Sequence, residues 1–157
     1  MIEITGYYWD EAKKDVPRYD AFVCTTNKMV KRNGRLVMGA GIARDFRDRF
    51  RDIDLNWGSR LARGIHDNGF MVTQINISLG GARNVALVAF PTKEHWKNDS
   101  MIDLIKFSAL TLQNIANIMG WSHVLMTRPG CAMGGLDWSW VRTEISFLDN
   151  RFKVINK

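Results

Sequence analysis

Two glycine-rich segments carry the most specific chemistry in this sequence. The first, MGAGIA, covers residues 38–43, and the second, RPGCAMGGLDW, covers residues 128–138. Each follows an apolar run typical of a strand and precedes a pattern typical of a helix. A loop in that position offers free backbone N–H groups and the positive end of a helix, which together suit phosphate. Two such loops at one site predict a pyrophosphate ligand.

Three side chains near these segments are candidates for catalysis. Lys93 lies in FPTKEHW, residues 90–96, and a lysine that loses solvation in a crevice can act as a nucleophile or base. The alternative is a surface lysine beside Trp96. Asp137 either caps the helix that follows it or positions a water molecule. Cys131 lies where a thiolate would be stabilised, but no histidine is near it in sequence to act as its base.

The spacing of residues excludes other common sites. Residues 39–41 do not form GxGxxG, and no GxxxxGK[ST] occurs, so neither a dinucleotide fingerprint nor a P-loop is present. His66, His95 and His123 have no metal-ligand spacing with one another or with cysteine. We therefore expect no metal and no cofactor.

The composition is that of one globular domain. The chain has 157 residues, of which 46% are hydrophobic, so residues 1–157 should form a single core. No apolar run reaches the roughly 18 residues of a membrane span, and the N-terminus lacks the layout of a signal peptide. Cys24 and Cys131 do not make a disulfide framework. We expect a monomeric, cytoplasmic protein with no membrane partner.

The net charge of +6 comes largely from one region. Lysine and arginine are concentrated between Lys28 and Arg63, with aspartates among them. One interpretation is a solvated helical face, and the other is a field that attracts nucleic acid or a nucleotide. Composition alone leaves both interpretations open.

Strand and helix patterns alternate along the chain. Predicted strands cover residues 1–5, 19–26, 70–77, 84–90, 123–127 and 152–155. Predicted helices begin at Gly41, at Ser100 and after Asp137, and Gly120 ends the second of them. The inner stripe of that second helix would consist of Ile102, Ile105, Ala109, Leu112, Ala116 and Met119. This order predicts an α/β domain with a mostly parallel sheet and helices on both sides.

The predicted sheet brings the distant segments to one place. In parallel sheets, ligands bind outside the carboxyl ends of the strands. Both glycine segments and the segment with Lys93 follow predicted strands. We therefore expect all three to line the same crevice.

Four motifs occur together along the chain: CTTN at residues 24–27, MGAGIA, FPTKEHW and PGCAMGGLDW. Their order and spacing resemble the macro domain family, in the branch that contains the DarG antitoxin and the terminal ADP-ribose glycohydrolase. The resemblance extends from Ile2 to Ile155. It implies a three-layer α/β/α fold with a mixed, mostly parallel central sheet, and ADP-ribose as the bound nucleotide.

The resemblance also implies a role for each segment. Lys93 matches the lysine that members of this branch use in catalysis, and Asp137 is a second, weaker candidate. The first glycine turn would meet the distal ribose, the second glycine loop would wrap the diphosphate, and the start of the chain would meet adenine. The implied ligand-binding residues are Tyr7, Tyr8, Trp9, Asn27, Met38, Gly39, Ala40, Gly41, Ile42, Pro129, Gly130, Cys131, Ala132, Met133, Gly134, Gly135 and Leu136.

The chain departs from the family pattern at three positions. Tyr7 stands where many macro domains have an aspartate that holds the adenine amino group, so adenine would be held by stacking or by Asp10. Gly134 stands where the terminal ADP-ribose glycohydrolase has an acidic residue, whereas DarG-like members share the GGLDW form. Ala132 stands where glycine, which tolerates positive φ, is usual.

The resemblance implies an ADP-ribosyl glycohydrolase that removes ADP-ribose from a modified macromolecule. The basic first half of the chain favours DNA or RNA over protein as the carrier. Lys93 would attack C1″ of the distal ribose, or the ring-opened aldehyde, and water would then release ADP-ribose. The rival interpretations are a phosphatase acting on ADP-ribose 1″-phosphate and a non-catalytic ADP-ribose reader.

Overall fold

Strands and helices alternate along the chain in the computed structural model, which describes residues 1–64, 72–78 and 82–157. The strands are β1 (Ile2–Thr5), β2 (Ala21–Asn27), β3 (Val72–Ser78), β4 (Ala82–Lys93), β5 (Val124–Thr127) and β6 (Phe152–Asn156). The helices are α1 (Tyr8–Ala12), α2 (Gly41–Arg49), α3 (Ile53–Ala62), α4 (Ile102–Met119) and α5 (Trp138–Glu144).

The strands of the described ranges form one sheet in the order β1-β6-β5-β2-β4-β3. Each neighbouring pair is parallel except β3 and β4, which are antiparallel. The predicted mixed, mostly parallel sheet is therefore confirmed. Of the strand predicted over residues 70–77, the first two residues, Phe70 and Met71, lie outside the described residues.

Helices cover both faces of the sheet, so the fold has three layers. On one face the core includes Trp9 of α1, Phe46 of α2 and Trp57 of α3. On the other face Leu112 of α4 and Val141 of α5 are buried. Alternate residues of the central strands point into the two cores, which requires the continuous apolar runs seen in the sequence. The predicted α/β/α architecture is confirmed.

The long helix α4 begins later than the sequence pattern predicts. Its N-cap is Met101, without a side-chain hydrogen bond, so the predicted start at Ser100 is wrong. Ser100 instead lies buried, and its Oγ has no hydrogen-bond partner. Gly120 does end the helix, in the left-handed conformation that glycine favours. The predicted stripe is buried from Ile105 to Ala116, but Met119 is exposed because the helix end projects past the core.

No helix among the described residues is both long and apolar enough to cross a bilayer. The short helix α1 and the helix α3 were not predicted. The five residues of α1 are too few to display a helical period. The apolar residues of α3 follow closely on those of α2 and do not mark a separate helix.

Candidate functional site

Three segments meet at the carboxyl ends of neighbouring strands. In the sheet β2 lies between β5 and β4, and all three strands run in the same direction. Residues 28–40 follow β2, residues 94–101 follow β4, and residues 128–137 follow β5. The structure thus brings the two glycine segments and the Lys93 segment to one edge of the sheet, as the sequence predicts.

An irregularity in β4 sets the position of Lys93. Thr26 of β2 pairs with Pro91, but the next residue, Asn27, pairs with Lys93, so Thr92 is an extra residue in β4. Such a bulge changes the direction of the side chains that follow it and is frequent beside active sites. Proline, which has no N–H to donate, fits at an irregular strand position. Asn27 and Lys93 therefore stand opposite each other at the ends of their strands.

The amine of Lys93 joins two loops. Its Nζ donates to the carbonyl oxygen of Asn98 at 2.8 Å and to that of Met133 at 3.2 Å. Asn98 belongs to the segment after β4, and Met133 lies in the second glycine loop. Lys93 is half-buried, so it is neither a fully solvated surface lysine nor a core residue.

Asn27 organises the start of the first glycine segment. Its Nδ2 donates to the Val37 carbonyl at 2.9 Å, and its Oδ1 accepts from the Met29 backbone N–H at 2.9 Å. Gly39, Ala40 and Gly41 are exposed, and a Cβ built on Gly39 or Gly41 would meet no atom within 4 Å. The backbone of this turn therefore borders open space.

The neighbours of this turn face inward. The side chain of Met38 is fully buried in the core, so only its backbone remains available to a ligand. Ile42 is half-buried and packs against the same core. The Met38 side chain fills part of the core between α2 and the sheet, so Met38 stays a predicted binding residue through its backbone alone.

The second glycine loop is closely packed around two glycines. A Cβ on Gly130, whose φ is +76°, would lie 2.7 Å from Ile105 Cδ1. A Cβ on Gly134 would collide with Ser100 Oγ and the Gly130 carbonyl. Ala132 does not have a positive φ, so this alanine fits the loop without backbone strain. Of the remaining predicted binding residues, Pro129 is buried, Leu136 is half-buried, and Met133 and Gly135 are exposed.

Cys131 is held as a neutral thiol. Burial raises its pKa to about 11, although the positive charge of Arg128 acts in the opposite direction. Its Sγ donates to the Pro129 carbonyl at 3.4 Å. A thiol with that pKa is almost entirely protonated at neutral pH, so the structure disfavours Cys131 as a nucleophile.

A cluster around Glu3 connects the two ends of the second glycine loop. Glu3 Oε2 accepts from Trp138 Nε1 at 2.9 Å and from Arg128 Nη2 at 3.1 Å, and Arg142 Nε lies 2.7 Å from Oε1. The Arg128 guanidinium also lies over the Trp138 ring. These bonds, that of Trp138 first, hold the pKa of Glu3 below its ordinary value. No local pattern in the sequence signals this cluster, because Glu3 and its partners are far apart in the chain.

Asp137 caps α5, as predicted. Its Oδ1 accepts from the backbone N–H groups of Ser139 at 2.9 Å and Trp140 at 3.3 Å, and from the Ser139 hydroxyl. The Ser139 hydroxyl is the main cause of the lowered pKa of Asp137. Asp137 is therefore ionised at neutral pH.

The segment predicted to meet adenine is divided between surface and core. Tyr7 is 41% exposed, but Tyr8 and Trp9 are buried. The Tyr8 hydroxyl donates to the carbonyls of Val23 and Leu125, at 3.3 and 3.1 Å. Because α1 directs the rings of Tyr8 and Trp9 into the core, neither ring is open to a ligand. Tyr7 and Asp10, which is also exposed, remain the candidates at this end.

Ion pairs occupy part of the basic region between Lys28 and Arg63. Arg35 bonds both Asp54 and Asp52, at 2.7 and 3.0 Å. Arg47 pairs with the adjacent Asp48 at 2.8 Å. These contacts favour the interpretation of α2 and α3 as helices with a solvated charged face. Lys31, Arg32 and Arg44 are exposed beside them.

Two curated proteins are similar to this chain in sequence. Both are named DNA ADP-ribosyl glycohydrolase, one from Mycobacterium bovis and one from Mycobacterium tuberculosis. Each is 28% identical over 109 residues, which cover 69% of this chain. The match spans only 30% of the length of each relative. No protein-family profile matches the chain.

Solved structures extend the similarity to the fold. The macrodomain of Mycobacterium tuberculosis DarG is 26% identical with a TM-score of 0.67, and the match covers 87% of this chain and 88% of that one. This chain has the macro domain fold, and it is similar to the DarG branch of that family. The macrodomain of Thermus aquaticus DarG is 21% identical with a TM-score of 0.75, and the match covers 99% of this chain and 97% of that one. Thermosipho africanus DarTG in complex with ADP-ribose is also 21% identical with a TM-score of 0.79, and the match covers 99% of this chain and 41% of that one.

Proposed function

We propose that this macro domain binds ADP-ribose and hydrolyses the bond that joins ADP-ribose to DNA. The observation that carries the proposal is the meeting of Lys93, Asn27 and both glycine loops at one edge of the sheet. The names of the two curated relatives and the ADP-ribose complex of the DarTG neighbour support it. We also propose that the protein is a cytoplasmic monomer.

In this proposal each segment binds a different part of the ligand. The open space beside Gly39 and Gly41 receives the distal ribose, next to Asn27. The backbone N–H groups of residues 130–135 bind the diphosphate, since N–H groups and glycines permit close approach of anions. Tyr7, the exposed aromatic ring after β1, stacks on adenine.

Lys93 acts as the nucleophile. Two of the hydrogen-bonding directions at Nζ are taken by the carbonyls of Asn98 and Met133, which leaves the third for the distal ribose in this proposal. The amine attacks C1″ of the distal ribose, the new C–N bond forms, and the electron pair of the C1″–carrier bond leaves with the carrier. The alkylated nitrogen of Lys93 then loses a proton, and the carrier atom gains it. Water adds to the lysine adduct, and ADP-ribose leaves as the C–N bond breaks.

Replacement of Lys93 tests this role. Lys93→Arg retains a positive charge and N–H donors for both carbonyls but lacks the nucleophilic amine, so turnover should fall about 100-fold or more while ADP-ribose binding remains. Release of ADP-ribose from a modified oligonucleotide measures turnover, and calorimetry with free ADP-ribose measures binding. Lys31→Ala, an exposed lysine in the turn before the first glycine segment, is the control. Full activity in Lys93→Ala would exclude the mechanism.

A panel of substrates tests the carrier. ADP-ribosylated DNA, ADP-ribosylated RNA, ADP-ribosylated protein and ADP-ribose 1″-phosphate are incubated with the wild-type protein. We expect the protein to turn over the modified DNA faster than any of the other three substrates. A phosphatase would release phosphate from the ester alone, and a reader would bind ADP-ribose without turning over any of the four.

A further inference from the structure

Trp96 is a large aromatic side chain left in solvent beside the proposed nucleophile. Its side chain is 49% exposed, whereas Trp9 and Trp57 are buried in the core. It lies three residues after Lys93 in the segment that follows β4. Three residues of chain span at most about 10 Å, so the indole lies within reach of a group attached at C1″ of the ribose that we propose to bind beside Lys93.

The loop that carries Trp96 is fixed at both ends. At its start, Lys28 N–H donates to the Glu94 carbonyl at 3.2 Å, and Lys28 Nζ pairs with the Glu94 carboxylate at 3.1 Å. At its end, Lys93 Nζ holds the carbonyl of Asn98. The Lys97 N–H donates to His95 Nδ1 at 3.2 Å inside the loop. A side chain on such a braced loop loses little further freedom on binding.

One cationic and one aromatic side chain of the same loop lie against the indole. The Lys97 ammonium lies 5.2 Å from the ring centre, and the His95 ring stacks against it with centres 5.7 Å apart and an angle of 25°. An exposed aromatic ring next to cationic side chains is the composition of surfaces that bind single-stranded nucleic acid. On such surfaces the aromatic ring stacks on a base, and the cation attracts the phosphate beside that base.

We propose that Trp96 stacks on a nucleobase adjacent to the ADP-ribosylated nucleotide of a single-stranded DNA substrate, with Lys97 beside the backbone phosphate. The inference rests on the proposed function, because it takes the carrier at C1″ to be DNA. Trp96 is then a residue that selects the carrier and does not take part in bond cleavage. A lysine-rich or arginine-rich protein carrier would meet repulsion from Lys97 at this position.

Binding of unmodified DNA tests the proposed stacking platform, which consists of Trp96 and Lys97, without any need for turnover. A labelled single-stranded oligonucleotide is titrated with wild type, Trp96→Ala, Trp96→Phe and Trp140→Ala, and anisotropy gives the affinities. Trp96→Ala should weaken binding about 5- to 150-fold, because it removes one base–aromatic stack. Trp96→Phe should restore most of it. Trp140, which is 48% exposed on α5, is the matched control and should change nothing.

Turnover of two modified oligonucleotides tests whether Trp96 contacts a base next to the ADP-ribosylated nucleotide. The ADP-ribosylated oligonucleotide is prepared with normal flanking bases and with abasic flanks. Abasic flanks should lower kcat/KM of the wild type, mainly through KM, and should have no effect on Trp96→Ala. Calorimetry should find the same affinity of both proteins for free ADP-ribose.

The outcomes separate the two proposals. Loss of DNA binding in Trp96→Ala, with no turnover by any of the proteins, would overturn the hydrolase proposal and retain the platform. Turnover of modified DNA by Trp96→Ala at the wild-type rate, with unchanged DNA affinity, would overturn the platform and retain the hydrolase. If Trp96→Ala lost turnover of ADP-ribosylated protein but kept turnover of ADP-ribosylated DNA, the platform would also be overturned, because the ring would then recognise a polypeptide.

Discussion

Asp137 illustrates how a single side chain is committed to local structure. Its Oδ1 bonds two backbone N–H groups at the start of α5 and the hydroxyl of Ser139. Those bonds lower its pKa, so Asp137 carries no proton to donate at neutral pH. The remaining catalytic option is to orient water through its carboxylate, and the cap accounts for the residue without that role.

Asp137→Asn therefore distinguishes a cap from a catalytic group. Asparagine caps helices about as well as aspartate, so the variant should melt close to the wild type and keep most of its turnover of ADP-ribosylated DNA. Thermal melting and the rate of ADP-ribose release are the measurements, and Asp137→Ala, which removes the cap, is the comparison. If Asp137→Asn were as stable as wild type but inactive, the carboxylate would belong to the active site.

Among the elements, β1 positions the second glycine loop from a distance. Glu3 accepts from Arg128 at one end of the loop and from Trp138 at the other. The residues between those two points include Gly130 and Gly134, which leave no room for a Cβ. One carboxylate on a neighbouring element thus connects the two ends of the proposed diphosphate loop.

The Glu3 cluster predicts a stability difference that depends on pH. The folded-state pKa of Glu3 is lowered, first by the Trp138 N–H and then by the arginines, so its stabilisation is present above the unfolded pKa of about 4.3 and is lost as pH falls through the folded value. Glu3→Gln should lower the free energy of unfolding at pH 7 by about 1 kcal/mol, given a partly exposed group.

Urea unfolding at pH 7 and near pH 3 measures this difference. The gap between wild type and Glu3→Gln should narrow at the lower pH, where the wild-type carboxyl becomes protonated. Asp15→Asn, which alters an exposed ion pair at 3.7 Å, should show almost no gap at either pH. An equal gap at both pH values would mean that the side-chain shape, and not its charge, stabilises the loop.

The sequence predicts those elements whose signals are local. Apolar runs located the parallel strands, Gly120 marked the end of α4, and Asp137 marked the start of α5. The glycine segments were placed correctly because parallel strands end at a common edge. Features that depend on distant residues were not predictable: the extra residue at Thr92 depends on pairing with β2, and the Glu3 cluster joins the first strand to the last helix.

The sequence does not show which aromatic residue of the segment proposed to meet adenine is exposed and which are buried. Tyr7, Tyr8 and Trp9 are chemically similar neighbours, and any of them would suit a stacking role. The turn of α1 determines that Tyr8 and Trp9 enter the core and Tyr7 does not. Only the packing against α2, including Trp9 on Phe46 with ring centres 5.2 Å apart, decides between them.

On the scale of the whole molecule, the proposed crevice has room at the first glycine segment and close packing at the second. No atom lies within 4 Å of a Cβ on Gly39, and this glycine does not need a positive φ. A larger side chain at Gly39 is therefore tolerated by the free protein. At Gly134, by contrast, any side chain displaces the loop itself. Gly39 is consequently the position where ligand binding and folding can be tested separately.

Ligand-dependent melting tests the proposed crevice in the intact molecule. At a free ADP-ribose concentration of about 100 times the dissociation constant, binding should stabilise the fold by roughly 2.7 kcal/mol. In a domain of this size the melting temperature should then rise by about 5 to 10 °C. AMP, which lacks the second phosphate and the distal ribose, should raise it much less at the same concentration.

Gly39→Val should melt at the wild-type temperature without ligand and should lose most of the ADP-ribose shift, because valine fills the space proposed for the distal ribose. Equal shifts with AMP and ADP-ribose, or an undiminished shift in Gly39→Val, would place the ligand outside this crevice.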